Sequence, residues 1–520
     1  MMTANSIKVR FEDVAIIMHP GLDQAAIARE DIPSGTVLDF QGELIEIRSF
    51  IRKAHRFALH DIREGEFVRQ YGYPFGQSKG ISRGELITAI NINNVLPETD
   101  LEDFKEPDET TYLTKYMKKT FSGYVRKDGR VGTRNFYLVI PTSMCASETA
   151  LQVAQQIEQN NILKEYPNID GIVSIPHTEG CGCDSTLQIE RVMQVLHGYI
   201  NHPNVGGCLI MDLGCEKTNY DRMFPYIASA VGQSLKPIDW LTIQDNGGAR
   251  ATIERGKEVI ASRLREINEA RRMPCPLAAL VVGTECGASD SFSGITANPV
   301  IGSTVDKVIS AKGSAILSEI PEMSGTFSIL WPRFRSRDIA NKYKGLVDWY
   351  EDMARRLGTS IEDNLVPKNI EGGLINSYLK SLGAILKGGA TIIEDVLDYA
   401  EPVKKRGLSI MQGPGNDLES VTGIVASGAA IVCFSTGYGT PTGNAICPVI
   451  KVASTDETFT RMPEDMDFNA GRLLHENGNI DELSEELLEM VTAVASGRRT
   501  WSEVWRQRQF QVWTAGKLSV

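Results

Sequence analysis

FYLVIPTSMC, residues 136–145, is the unit on which the rest of the chain is read. Five apolar residues make a run of strand length. Pro141 and small polar residues then form a loop that ends at a thiol, Cys145, and beyond it Leu151, Val153, Ala154 and Ile157 fall near one helical face. The unit recurs: IVSI (172–175) leads to Cys181, CLIMDL (208–213) to Cys215, and ALVV (279–282) to Cys286. LSIM (408–411) and AAIVCF (429–434) are further runs of the same kind. Near-continuous apolar runs alternating with amphipathic helical segments predict parallel sheets covered on both faces, because the crossover helices bury both sides of each strand. The expected fold class is α/β. Its main part is a large doubly wound, Rossmann-like parallel-sheet region, divided into subdomains over 121–272 and 273–520.

Upstream the pattern differs. AREDIPSGTVL (28–38) and ALHDIREGEFV (58–68) share Ala, Asp, Ile and Gly thirty residues apart, each copy reading as strand, turn and strand. This predicts a small β-rich domain over 1–96. The acidic stretch from Leu96, with Pro97 and Pro107, then reads as a linker over 97–120. Near the other end, DELSEELLEMVTAVASG predicts an amphipathic helix that closes the domain.

At 520 residues the chain is too long for one core, and its net charge of -12 argues against nucleic acid or an anionic membrane as the main partner. The opening MMTANSIKVRFEDV lacks the features of an export signal, and no run reaches the ~20 apolar residues of a membrane span, so a cytoplasmic protein is expected. Nine cysteines without an export signal are expected to be reduced thiols.

Ligands of open α/β sheets bind beyond the carboxyl ends of the strands, where the four thiol-bearing loops would gather. No CxxC pair is present, so a zinc ribbon is not supported. Thiolates from separate loops could hold an iron–sulfur cluster or a single Fe(II) or Zn(II) ion. Buried thiols that merely pack are the other reading, and it is the one expected for Cys183, Cys208, Cys275, Cys433 and Cys447. The same loops supply polar chemistry: IPHTEGC brings His177 and Glu179, LGCEK brings Glu216 and Lys217, and TECGASD brings Glu285 and Asp290. Ser293 and Thr296, in SGITANP, either cap a helix or receive an anion at its start. GPGND (413–417) and STGYGTP (435–441) are further glycine-rich loops, and neither matches GxGxxG or GxxxxGK[ST]. A nicotinamide-dependent oxidoreductase is disfavoured on that ground.

Taken in order, FSGYVRKDGRVGTRN, HTEGCG, LGCEK, CGASDSFSGITANP, EIPEM, PGND and FSTGYGTP resemble the altronate and galactarate dehydratases, the altronate branch more closely. The N-terminal repeat resembles their small β-clip module, the SAF domain. The resemblance implies an iron-dependent hydro-lyase that turns a sugar acid into a 2-keto-3-deoxy acid, with Fe(II), an iron–sulfur cluster or another divalent metal as cofactor. It further implies a small hydroxy acid as partner and a homo-oligomer. On this reading Cys181, Cys215 and Cys286, with Cys145, are the expected metal ligands. His177 is the first candidate for the base, followed by Glu216 and Glu285, and His55 could reach the site from the small domain. Lys217, Asp290, Ser293, Thr296, Asn298, Asn416 and Thr440 are the expected substrate contacts.

The chain also departs from that pattern. Leu86, Thr88 and Ile90 stand where the altronate branch has histidines, VPKN and Ile370 replace SPGNK, Tyr438 replaces an arginine and Thr442 a tyrosine. Glu179 stands where an aromatic residue is common. These changes remove cationic partners for a carboxylate and add a negative charge. They leave a sulfo-lyase and a catalytically silent sugar-acid binder as alternatives.

Overall fold

The computed structural model describes residues 8–98, 104–110, 113–183, 186–232 and 236–514. Asp184 and the first residues of the N-terminal stretch argued from above lie outside them. No helix among the described residues is long and apolar enough to cross a membrane.

The first subdomain is a parallel sheet of β1 (Phe136–Pro141), β2 (Gly171–Ser174), β3 (Val205–Asp212) and β4 (Ile238–Thr242), in the order β2-β1-β3-β4. Helices α1 (Met144–Gln159), α2 (Thr186–Asn201) and α3 (Ala249–Ile267) connect and cover it. The second holds seven parallel strands in the order β7-β8-β6-β5-β9-β10-β11. These are β5 (Val281–Gly287), β6 (Ser314–Leu317), β7 (Ile393–Leu397), β8 (Gly407–Met411), β9 (Ile431–Thr436), β10 (Val449–Ala453) and β11 (Phe468–Asn469). Helices α4 (Ala297–Ser310), α5 (Asp417–Ala426) and α6 (Ile480–Ala495) belong to it. The apolar runs are buried strands because both sheet faces are covered: every residue of β1, β2, β8, β9 and β10 is buried.

The two sheets share one core. Leu138, Val173 and Leu196 from the first pack in the same cluster as Ile316, Met411 and Phe434 from the second. The join is α2 against α5. A Cβ on Gly198 would fall within van der Waals contact of Ala426, 2.8 Å from its Cα, so only glycine lets the two backbones approach this closely. At one end of the pair His202 bonds the carbonyl of Ala429 at 3.0 Å, and at the other Arg191 reaches Gln412 at 3.3 Å. The helices therefore run parallel, and the carboxyl ends of both sheets lie on the same side of the molecule.

The N-terminal domain consists of short strands in which the two sequence copies make the same turn. Ile32 bridges Ile51 and Ile62 bridges Ile81, with Gly35 and Gly65 at φ 84° and 85°. It is seated on the second subdomain by Arg56, fully buried, whose guanidinium donates to Ser291 Oγ at 2.7 Å and to the Gly373 carbonyl at 2.5 Å. The predicted terminal helix is α6, but it does not close the domain. The chain continues as a tail through Thr514, placing Phe510 against Tyr199 and Trp513 in the core shared by both sheets.

Replacing Gly198 by valine is expected to wedge α2 from α5 and to lower stability by about 1–3 kcal/mol, the usual cost of overpacking a core. A shift of the urea midpoint checks it.

Candidate active site

Three of the four thiols come together at the carboxyl end of the four-stranded sheet. Cys145, on the first turn of α1, lies in the field of Cys181 from the loop after β2 and of Cys215 from the loop after β3. Partial burial, then the neighbouring Cys181, Glu216 and Cys215, push the Cys145 thiol up. All three cysteines are exposed, whereas the five expected to pack are buried.

Beneath them Glu216 accepts from the hydroxyls of Thr142 and Ser143, both at 2.9 Å, and from the main-chain N–H groups of Leu213 at 2.9 Å and Gly214 at 2.7 Å. Against the burial that would raise it, these donors hold its carboxyl below the ordinary range. Glu216 is thus an ionised strut that shapes the Cys215 turn. His177 is also committed to the main chain: Nε2 donates to the Pro141 carbonyl at 2.9 Å and Nδ1 accepts from the N–H of Glu179 at 3.2 Å. The imidazole holds the Cys181 loop in shape, and its use as a base would break one of these bonds. Lys217 donates to the Cys183 carbonyl at 2.6 Å.

Cys286 does not join the other thiols. It ends β5 in the seven-stranded sheet, where its Sγ donates to Glu322 and accepts from Lys387, both at 2.7 Å. Its thiol is pushed well up by burial and by Glu319 and Glu322. The shared centre expected of Cys181, Cys215 and Cys286 is corrected accordingly, because the same strand-and-thiol unit was placed in two different sheets.

Around Cys286 lies a buried polar group that the sequence did not single out. Lys387 bonds Glu319 at 2.6 Å and Lys380 bonds Glu322 at 2.7 Å. Glu285, fully buried, accepts from Ser420 Oγ at 2.7 Å and hydrogen-bonds Glu319. Burial and then Glu319 push Glu285 well up, so it holds the proton of that bond. Burial and the charge of Glu322 raise Glu319 to about 7 and Asp417 to about 6, while the two lysines hold Glu322 down against its burial. The available signal was Lys380 and Lys387 in the otherwise apolar run LKSLGAILKGG, together with the acidic residues of EIPEM.

The expected substrate contacts are mostly occupied. Asp290 accepts from Ser293 and Ser454; Thr296 donates to the carbonyls of Phe292 and Ser454 and does not cap α4; Asn298 bonds Gly383 and Ser435. Asp290, Ser293 and Asn298 do line, with Cys286 and Lys380, a small cavity closed by Tyr71 of the N-terminal domain. Asn416 caps α5, and Thr440 bonds Thr442 at 2.8 Å. His55 bonds the Lys53 carbonyl within its own domain, and burial lowers its pKa.

An open cavity of about 700 Å³ lies beside the thiol loop. Pro176 to Glu179 form one side, Glu419 from the first turn of α5 another, and the tail from Phe510 to Thr514 the rest. Glu419 takes a 3.1 Å bond from the Gln511 amide, and burial, with the charge of Glu179 opposite, raises it to about 7.

Because Glu319 keeps its proton up to about 7 when folded, against 4.5 ordinarily, the folded chain binds more protons than the unfolded one between those values. That contribution to stability is complete below pH 4.5 and is lost as pH rises through 7. Glu319→Gln is expected to flatten the fall in stability across this window, as read by urea unfolding at a series of pH values.

Residues 14–95 match the altronate/galactarate dehydratase SAF domain, 123–268 the second domain of D-galactarate dehydratase/altronate hydrolase, and 277–518 the D-galactarate/altronate dehydratase C-terminal domain. The chain is 33% identical over 485 residues to an altronate dehydratase of Bacillus subtilis, covering 92% of this chain and 94% of the relative. It is 31% identical over 507 residues to the altronate dehydratase of Escherichia coli, covering 95% and 98%. It is 33% identical over 516 residues to the galactarate dehydratase (L-threo-forming) of Escherichia coli, covering 97% and 95%. With all three segments matched in order and each relative covered almost end to end, the chain belongs to the D-galactarate/altronate dehydratase family.

Proposed function

We propose that this protein dehydrates a sugar acid to a 2-keto-3-deoxy acid and water in the cavity beside the thiol loop, with iron held by Cys145, Cys181 and Cys215. The observation that carries this is a set of three exposed thiols at three separate strand ends that bear on one another electrostatically, with Cys181 two residues beyond the Glu179 that lines a cavity of about 700 Å³, a size that suits a small ligand. The donor set fits the metal. Thiolates are soft ligands that suit iron; burial raises Cys145 most, and the neighbouring Cys181, Glu216 and Cys215 add a like-charge part that a cation would relieve. Lys217 is turned away to the Cys183 carbonyl, so no ammonium competes there. At Cys286 the reverse holds, because Lys387 already occupies the centre of that group.

Iron bound at the thiols supplies Lewis acidity, which acidifies the proton beside the substrate carboxylate and eases departure of the hydroxyl. A base near neutrality is then needed. Glu419 has that property and lines the cavity. His177 and Glu216 hold the loops that carry the ligands, and Glu285 is buried in the second sheet without a wall in this cavity.

Iron content measured on anaerobically purified protein, with a 2-keto acid assay over a panel of sugar acids, tests the reading. Cys181→Ser is expected to lose iron and turnover together, and Cys286→Ser to retain iron; the opposite pattern removes the thiol assignment. Iron-loaded protein that binds sugar acids without forming keto acid is a silent binder.

If Glu419 is the base, kcat/KM rises as pH climbs through about 7, since the carboxylate must be ionised to accept a proton. Glu419→Gln is expected to lower kcat by roughly 100-fold or more and to abolish that rise, the scale of a lost general base.

A further inference from the structure

We infer that a second cavity, at the opposite end of the four-stranded sheet, binds a small phosphate ester, and that the bound ester fastens the C-terminal tail. The inference is independent of the function proposed above, since the site involves neither the thiols nor the cavity beside them.

The cavity measures about 240 Å³ and is lined by Phe136 and Gly171, the first residues of β1 and β2, so it lies at the amino ends of the strands. Five cations stand in its wall. Arg134 is matched by Glu503, which accepts from its guanidinium at 2.7 and 2.8 Å. The other four share one carboxylate: Arg506 and Arg508 both reach Glu158, at 3.5 and 2.7 Å, while Lys164 and Arg499 pair with no acid among the described residues. Asp170, the remaining acid of the wall, accepts from the Asn135 N–H at 2.7 Å and faces Arg272 at 3.9 Å, two groups that do not line the cavity. The whole chain carries a net charge of -12, so this local excess of positive charge runs against its general balance.

Such a set suits phosphate better than a lone carboxylate. A phosphate monoester carries about −1.5 to −2 charges at neutral pH and three acceptor oxygens; guanidinium groups fork onto two of them, and an ammonium adds a point charge. The volume is below the ~300–1,000 Å³ of sites for drug-sized ligands, which leaves room for an ester of a few carbons. Leu163, Ala445 and Val504 offer the carbon part an apolar wall.

The tail joins this cavity to the one beside the thiol loop. Val504 and Arg506 to Arg508 line the first, and Phe510 to Thr514 line the second. Lys164 lies just beyond α1 and Arg499 just beyond α6. An anion held between these two and Arg506 therefore ties the tail to both sheets.

Isothermal titration calorimetry of the full-length protein with glycerol 3-phosphate, against glycerol at equal ionic strength, tests the binding. One saturable site per chain is expected, with a Kd on the order of 1 mM or tighter. The double variant Lys164→Ala/Arg499→Ala, altered at two exposed positions, is expected to bind about tenfold or more weakly, and added KCl should weaken binding to the unaltered protein. With the ester near ten times its Kd, hydrogen exchange of residues 504–514 is expected to slow by about twofold or more. No saturable binding, equal binding by the variant, or binding indifferent to salt overturns the site. Unchanged exchange in the tail with the site filled overturns the fastening.

Discussion

The parallel packing of α2 on α5 is the constraint from which the rest of the structure follows. Each helix begins just beyond a strand end, α2 after β2 and α5 after β8. Side by side and pointing the same way, they bring the two sheets' ligand-bearing loops to one side of the molecule. The approach depends on Gly198 meeting Ala426 with no side chain between them. The bonds at either end, Arg191 to Gln412 and His202 to Ala429, hold the register along the pair. Antiparallel helices would have put the thiols and Glu419 at opposite poles.

On that common side the two sheets solve opposite electrostatic problems. The four-stranded sheet carries exposed thiols, with Cys145 pushed up by burial and by its neighbours, and Lys217 is bonded to the Cys183 carbonyl. The seven-stranded sheet buries Glu285, Glu319 and Glu322 but neutralises them internally, with two lysines and a proton between Glu285 and Glu319. Breaking such a buried pair by removing one partner typically costs about 3–5 kcal/mol, because the remaining charge has no water to turn to.

The strand-and-thiol units were legible because a parallel strand covered on both faces must be apolar throughout, and the N-terminal repeat because its glycines recur where φ is positive, at Gly35 and Gly65. Which thiols meet was not legible. ALVVGTEC has the same local form as FYLVIPTSMC, and only strand order, set by long-range packing, assigns Cys286 to another sheet. The sequence placed His177 beside a thiol loop, yet nothing in it shows that main-chain groups claim both ring nitrogens. Thr296 looked like a helix cap, but the burial of its loop gave its hydroxyl two carbonyls inside the protein. The tail beyond α6 carried no pattern of its own, since extended chain laid over a finished core needs neither helical nor strand periodicity.

That tail has a chemical consequence out of proportion to its length. Glu419 lies in the first turn of α5, where the helix terminus favours a charged carboxylate and lowers its pKa. It is raised to about 7 instead. The desolvation that reverses the helix effect comes from packing around it, and the tail supplies one face of that packing: Gln511 is anchored to Thr422, Phe510 sits 6.1 Å from the His177 ring, and Trp513 fills the core beneath, while the bond from the Gln511 amide to Glu419 works the other way and holds the carboxyl down. Aligned charge from Glu179 adds to the rise. The final residues of the described chain therefore convert an ordinary helix-start glutamate into a group poised near neutrality, and they do so beside a loop shaped by residues more than three hundred positions earlier. How far Glu419 rises then depends on how closely a strap without regular structure packs over α5, and a change there alters that rise while leaving both sheets as they are.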